Sequence, residues 1–357
     1  KNLKEKIMIV FLIIKCGFVD AYSFISQLAC LNEVSKIYVF RNEKSIENQK
    51  VNYILPPKFT FNKINIFIRF FQIIFKAKYS PKIIIGIYEI PHGLLALLTS
   101  KILRKPNVVS IIGNPAYAKI RKGIRLKLTN WILKNCDNIT VTGNYSKNYL
   151  IKQGFDSSKI FILPNTLNFE PFNKQNGLKK YDIINIGRIC EEKHIENIIY
   201  IIAKLKQVIP NIKAGIGGIG PKKEFLVHLA KELDLGLNID FTGYIPDENL
   251  SDFYNSGRIF VLTSETEGFP RTIIQAAACG IPVVSSNVGD ISDIIDNGNN
   301  GFLINNYNDT ETYSQRIYQL LNDEELYNAF SLRLFNKVHS SFNIDEASKV
   351  WQKILNK

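Results

Sequence analysis

The stretch SETEGFPRTIIQAAACGIPVV, residues 264–284, sets an acid, Glu267, directly before Gly268, Phe269 and Pro270, with an amide, Gln275, eight positions further on. Gly268 and Pro270 make a stiff turn, and TIIQAAAC reads as a helix that starts there. The positive end of that helix and its first main-chain N–H groups then face the same point as the acid. Glu267 is suited to accept hydrogen bonds from sugar hydroxyls. Eight residues is a little over two helical turns, which returns Gln275 to a similar face. A second cluster, IGRICEEK (residues 186–193), places Arg188 at the end of an apolar run and Lys193 five positions later. The planar fork of arginine and the point charge of lysine together suit a diphosphate, although the pair alone reads equally well as a solvated charge cluster. No Asp-x-Asp occurs in the chain, so a metal-bridged diphosphate is not suggested and neutralisation falls to protein cations. A third motif, KAGIGGIGP (residues 213–221), contains G-x-G-x-x-G at Gly215, Gly217 and Gly220, with Asp240 twenty positions on. It is compatible with a dinucleotide turn, but also with a tight glycine turn after a strand where backbone approaches closely.

These groups need a scaffold. Short apolar, β-branched runs alternate with longer stretches of helical period, and the runs are near-continuously apolar, as in strands buried on both faces. Eleven strands are predicted, at residues 7–14, 36–40, 82–87, 107–112, 138–143, 159–164, 182–187, 212–217, 238–243, 259–264 and 281–286. Their alternation with helices predicts an α/β fold with parallel sheets covered on both sides. The Asn- and Pro-rich segment at residues 164–180 breaks the rhythm and reads as a linker. A chain of 357 residues exceeds one ordinary domain. Two Rossmann-like doubly wound domains are therefore expected, residues 1–170 and 171–335, facing each other across a cleft. Ligands of such sheets sit beyond the carboxyl ends of the strands.

Composition narrows the class. Five cysteines, Cys16, Cys30, Cys136, Cys190 and Cys279, are scattered and form no C-x-x-C, which suggests reduced thiols in a cytoplasm. The run IMIVFLII follows a basic start as a signal peptide would, but no small-residue cleavage site follows cleanly and its β-branched content favours a strand. At eight residues it falls short of the roughly 20 that span a bilayer. The net charge of +13 is uneven. Residues 1–170 hold 26 Lys/Arg against 9 Asp/Glu, net +17; residues 171–357 hold 19 against 23, net −4. That asymmetry predicts a polyanionic partner or an anionic membrane for the first half.

Taken in order, NIGRICEEK, GGIGP, FTGYIP, SETEGFPRTIIQAAACGIPVVSSNVGDISDII and NGNNGFLI resemble the signature of the retaining GT-B glycosyltransferases of the family 4 type. The resemblance is dense over residues 182–304 and weak in the first half. It implies that Arg188 and Lys193, beside Gly187, hold the diphosphate of a UDP- or GDP-sugar. Glu267 would meet the transferred sugar, with main-chain groups of Gly268, Phe269 and Pro270 beside it. Position 275 would meet the ribose, Tyr244 would lie near the base, and Gly17 would approach the phosphates. A terminal segment, residues 336–357, would cross back to the first domain, with Trp351 as packing. The family has glutamate where Gln275 stands. An amide still accepts from and donates to a hydroxyl, but without the charge that makes such a bond roughly twice as strong. The family often has glycine at His194 and at Asp290, and many members carry a histidine where this chain has Ile112, Gly113 and Asn114.

The resemblance further implies a retaining transfer in which the leaving diphosphate takes the acceptor's proton, with no metal and no cofactor beyond the sugar nucleotide. The acceptor side falls to the first half. His92 and Asn114 follow predicted strands there, and KIRKGIRLKL gathers Lys119, Arg121, Lys122, Arg125 and Lys127. FIRFFQIIFKAKY (residues 67–79) interleaves aromatics with Arg69, Lys76 and Lys78, readable as a membrane-facing segment or as a core helix. The expectation is a cytoplasmic enzyme, peripheral on the inner face of the cell membrane, acting on a lipid-linked or polysaccharide acceptor in cell-surface glycan synthesis. No nucleic-acid motif is present, so nucleic acid is not expected as a partner. A catalytically silent sugar-nucleotide binder is the alternative.

Overall fold

In the computed structural model, residues 8–14, 18–57, 64–117, 122–175 and 177–357 are described. The chain divides into two units, Lys1–Thr166 with Ile344–Lys357, and Leu167–Asn343. The first is built on strands β1 (Met8–Ile13), β2 (Val34–Phe40), β3 (Val51–Ile54), β4 (Ile83–Ile87), β5 (Asn107–Ser110), β6 (Asn138–Val141) and β7 (Ile160–Ile162). All pair in parallel, in the order β3-β2-β1-β4-β5-β6-β7. Helices α1 (Phe18–Ala29), α2 (Ile64–Phe75), α3 (Leu94–Leu103), α4 (Gly123–Asn135) and α5 (Asn144–Lys152) connect them. The apolar runs serve both faces by strand alternation. Val10 and Leu12 enter one buried cluster, whereas Phe11 and Ile13 enter another. In the second cluster Phe11 meets the rings of Tyr38 and Phe40 edge-on, at 5.6 and 5.3 Å.

The second unit repeats the plan with β8 (Tyr181–Ile186), β9 (Ala214–Gly217), β10 (Ile239–Gly243), β11 (Gly257–Leu262), β12 (Val283–Ser286) and β13 (Phe302–Ile304). Its order is β10-β9-β8-β11-β12-β13, again parallel. Helices α6 (Ile195–Lys206), α7 (Lys223–Glu232), α8 (Leu250–Asn255), α9 (Arg271–Ala278), α10 (Thr310–Asn322) and α11 (Glu324–Ser341) complete it. Ile183 packs toward α6, and Ile184 and Ile186 toward α9. Strand order reverses direction at β8/β11, the switch point where parallel sheets of this kind take their ligands.

The final helix, α12 (Ile344–Leu355), belongs to the first unit and packs on α1. Trp351 is wholly buried there, and its Nε1 donates to Gln27 Oε1 at 3.0 Å. Gln27 in turn donates to Ser23 and Thr166, so the indole N–H lies in a satisfied network. The segment read as a linker carries no helix or strand among its described residues. It is nevertheless anchored, because Leu167 and Phe172 are buried in the core of the second unit. The two strands the sequence pattern did not predict, β3 and β13, are both at sheet edges and only four and three residues long. No helix among the described residues is long and apolar enough to cross a membrane.

Candidate active site

The loops at the carboxyl ends of β8, β9, β11 and β12 converge. Beyond β8 the chain runs through Gly187 and Arg188 into a short turn, Glu191–Lys193, ended by His194 in the left-handed region at φ 45°. The glycine-rich loop after β9 lies against this segment. Gly187 N donates to Gly217 O (3.1 Å) and Ile189 N to Ile219 O (2.9 Å). A Cβ on Gly218 would sit 1.8 Å from Gly187 O, and one on Gly220 2.1 Å from Ile189 O. Only glycine lets the two backbones run so close. The G-x-G-x-x-G spacing thus packs chain on chain, and Asp240 accepts from Tyr181 Oη (2.9 Å) and pairs with Lys180 (3.1 Å).

The β11 exit is tied to the same turn. Thr263 Oγ1 donates to the carbonyls of Lys193 and His194 at 3.1 and 2.9 Å, and Glu265 N donates to Glu192 O at 2.9 Å. These bonds carry Lys193 to Glu267, where Nζ lies 2.5 Å from Oε1; Ser264 Oγ donates to the same oxygen at 2.6 Å. Both charged side chains are largely buried. Such a pair holds its partners in place whatever its net worth. Arg188 is mostly exposed and bonds Glu192 at 3.0 Å, so its fork remains at the loop surface on a flexible stem.

The main chain at Glu267–Gly268 is fixed by the loop after β12. Gly289 has φ +57°, a Cβ there would lie 1.9 Å from Glu267 O, and Asp290 N donates to Gly268 O at 3.0 Å. Phe269 turns inward and meets Phe342 edge-on at 5.0 Å. Pro270 then starts α9, whose first turn no side chain caps, so the positive end of its dipole is directed at the loop that holds Glu267. Gln275 lies on the buried face of α9, and its Oε1 accepts from Tyr254 Oη at 2.9 Å. Burial, then the nearby Cys279, raises the Tyr254 hydroxyl well above its usual range, so it stays a donor and the amide oxygen is engaged. Tyr244 follows Gly243, at φ +74°, and is exposed.

Lys193, Glu267, Gly187, Gly268, Phe269, Pro270 and the start of α9 therefore lie in one loop cluster, with Arg188 at its rim. The sequence reading overlooked Thr263, Ser264, Tyr254 and Gly289. Thr263 and Ser264 carried a legible signal as hydroxyls at a strand's carboxyl end, four and three residues before the acid. Among the described residues no group of three His, Cys, Asp or Glu side chains is placed to hold a metal.

In the first unit, Gly17, Lys119 and Arg121 lie outside the described residues. His92 follows β4 and is buried, with Nδ1 3.1 Å from Ile87 O. Asn114 follows β5, and its Oδ1 accepts from Ala116 N at 2.9 Å, closing a turn. Lys122 and Arg125 are exposed at the start of α4, beside an exposed Ile124. Helix α2 presents Phe67, Phe71 and Phe75 outward, exposed by 71%, 55% and 76%, while Phe70 packs against the core and Arg69 is turned inward.

Residues 168–333 match the family model Glycosyl transferases group 1, and residues 33–170 match Glycosyltransferase Family 4. The chain is 30% identical over 225 residues to an uncharacterized glycosyltransferase of Haemophilus influenzae, covering 62% of this chain and 61% of that protein. It is 23% identical over 279 residues to the N-acetyl-alpha-D-glucosaminyl L-malate synthase of Bacillus anthracis, covering 75% and 72%. The chain thus spans about three-fifths of the length of the Haemophilus relative. In fold it is similar to Anabaena HepE in complex with UDP, with a TM-score of 0.81 at 15% identity over 98% of this chain and 100% of that one.

Proposed function

Because the chain belongs to the group 1 and family 4 glycosyltransferases, of GT-B fold, we propose that it moves a hexose-type sugar from a nucleoside-diphosphate sugar to a lipid-linked or polysaccharide acceptor, with retention at the anomeric carbon. The observation that carries this reading is the convergence of Lys193, Glu267, Ser264 and the uncapped start of α9 at the carboxyl ends of β8 and β11. Lys193 and Glu267 satisfy each other. An incoming donor would take over both: the diphosphate would accept from Lys193 and Arg188, and the sugar hydroxyls would donate to Glu267. Negative charge growing on the departing diphosphate would then meet Lys193 and a helix dipole already in place, with Arg188 turning in from the rim, an arrangement that lowers such barriers. The departing oxygen would take the acceptor's proton, so no carboxylate pair is required. Gly187, Gly268, Phe269 and Pro270 would offer main-chain groups, Tyr244 would border the base and Gly17 the phosphates.

Gln275 would meet the ribose through its amide N–H groups, since its oxygen already accepts from Tyr254. That engagement, together with the missing carboxylate, also favours a second reading, a silent sugar-nucleotide binder. Incubation with radiolabelled UDP-, GDP-, ADP- and TDP-sugars separates the two. Transfer or hydrolysis of one donor, with product of unchanged anomeric configuration, supports the enzyme. Binding without turnover supports the binder, and inverted product excludes the retaining mechanism.

The acceptor side falls to the first unit, with His92, Asn114, Lys122 and Arg125 and, by sequence, Lys119 and Arg121. The net +17 of residues 1–170 and the exposed phenylalanines of α2 support a peripheral place on the inner face of the cell membrane, where cations contribute about 1 kcal/mol each near an anionic surface. No partner nucleic acid and no cofactor beyond the sugar nucleotide enter this reading.

A further inference from the structure

His194 ends the turn that carries Lys193, at a position where the family often has glycine. It takes the left-handed conformation, φ 45° and ψ 46°, which strains a residue that carries a Cβ. Glycine would fold there without strain, so the imidazole has to make up for it through its contacts. Its side chain is 17% exposed. Nδ1 lies 3.1 Å from Glu196 Oε1 on α6, and the ring stacks on Tyr307, in the loop after β13, at 4.6 Å between centroids. A carboxylate only accepts, so Nδ1 carries the proton in this contact. Nε2 is buried with no hydrogen-bond partner among the described residues, and Glu265 Oε2, on the loop after β11, stands 3.8 Å from it. Glu196 is fixed in turn by Lys222 Nζ at 3.3 Å, which also pairs with Glu191 at 3.1 Å. Tyr307 O accepts from Asn197 Nδ2 at 3.0 Å. The ring therefore ties the Lys193 turn to α6 and to the loop after β13.

We propose that His194 is a positioning residue, whose imidazole keeps Lys193 aimed at the donor diphosphate once Glu267 has parted from it. The bond to Glu267 is what aims the Lys193 ammonium in the structure, and in the proposed function the sugar hydroxyls take Glu267 over. Lys193 is then a point charge on a flexible stem, and the remaining ties of its turn decide where it points. Thr263 and Glu265 hold that turn by its main chain, at Lys193 O, His194 O and Glu192 O. His194 adds a side-chain anchor one residue from Lys193, on a further element, α6. A cation fixed in this way meets developing charge without first reorganising. A strained backbone and an unmet ring nitrogen are what the anchor costs. His194 has this role only where Lys193 meets the donor, as the proposed function has it; the strain and the unmet nitrogen stand without that reading.

The test is calorimetric titration of UDP and GDP into the full chain carrying His194→Gly or His194→Asn, each in the parent and in the Lys193→Ala background. His194→Gly relieves the backbone, so it should melt within a few degrees of the parent or above it. It should nevertheless weaken binding of the nucleotide the parent takes by about tenfold, a coupling of ordinary size between neighbouring groups. His194→Asn should recover most of that affinity, because asparagine tolerates the left-handed region and its Nδ2 donates to Glu196 from near the place of Nδ1. In the Lys193→Ala background His194→Gly should cost less than about twofold, since a residue that acts through Lys193 has nothing left to position. A purely structural histidine would weaken binding equally in both backgrounds. Parent-like binding by His194→Gly, an equal loss in both backgrounds, no recovery in His194→Asn, or a His194→Gly chain that melts far below the parent overturns the proposal. Should Lys193→Ala alone bind as tightly as the parent, the donor reading fails and the role of His194 with it; an effect of Lys193→Ala without one of His194→Gly removes the role of His194 alone.

Discussion

Lys193 and Glu267 meet through one carboxylate oxygen that also accepts from Ser264, and their roles diverge once a donor arrives. Replacing Lys193 by alanine should lower turnover by about a hundredfold or more, the usual cost of losing one aimed donor to a developing charge. The far-ultraviolet circular dichroism should stay unchanged, and near-normal turnover would refute the role. Gly289 is a backbone counterpart. An alanine there would meet Glu267 O at 1.9 Å in a left-handed conformation, which alone costs about 1–2 kcal/mol. Gly289→Ala should therefore lose turnover together with several degrees of melting temperature, whereas Gly298→Ala, also at positive φ but in open space, should lose stability only. That Lys193 and Glu267 share one loop cluster could be anticipated because both follow strand-like apolar runs, whereas the pairing of Arg188 with Glu192 could not. Nor could the orientation of Arg69. Helix α2 is apolar on both sides, Ile73 inward and Phe67, Phe71 and Phe75 outward, so periodicity alone could not say which face is the core.

Among the elements, α9 does two jobs, directing its start at the donor loops and burying Ile273, Ile274 and Ala276–Ala278 in the core. One link to α8 is the Tyr254–Gln275 bond. Tyr254→Phe would leave a buried amide oxygen unmet, so it should cost about 1–3 kcal/mol in urea unfolding monitored by fluorescence; no loss would mean the bond is incidental. Helix α12 buries Ala347, Trp351, Ile354 and Leu355 in the first unit, and Trp351→Ala should cost about 3–5 kcal/mol by the same measurement. Most strands were legible because a parallel strand buried on both faces must be apolar throughout. The edge strands β3 and β13 were not, since four half-buried residues, or three, give no run to detect. The glycine-rich loop after β9 was legible as a tight turn, but its partner was another backbone segment, a long-range fact that spacing does not carry.

For the whole molecule, the charge contrast between net +17 and net −4 predicts different partners for the two halves of the chain. Phe67, Phe71 and Phe75 on α2 should add an apolar term to an electrostatic one. Co-sedimentation with anionic vesicles should fall when all three become serine, and should fall again when salt shortens the Debye length from about 10 Å at 0.1 M to about 3 Å at 1 M. Equal co-sedimentation of the triple variant would exclude α2 as the contact. The account as a whole depends on protein cations and a helix terminus neutralising a diphosphate. The most direct measurement is calorimetric titration of UDP and GDP, with EDTA present, into the wild-type chain, Arg188→Ala and Lys193→Ala. Saturable binding of at least one nucleotide by the wild type, weakened about tenfold or more in Lys193→Ala and reduced in Arg188→Ala, is the predicted result. Failure of both nucleotides to bind the wild type without metal, or equal affinity in all three chains, would contradict it.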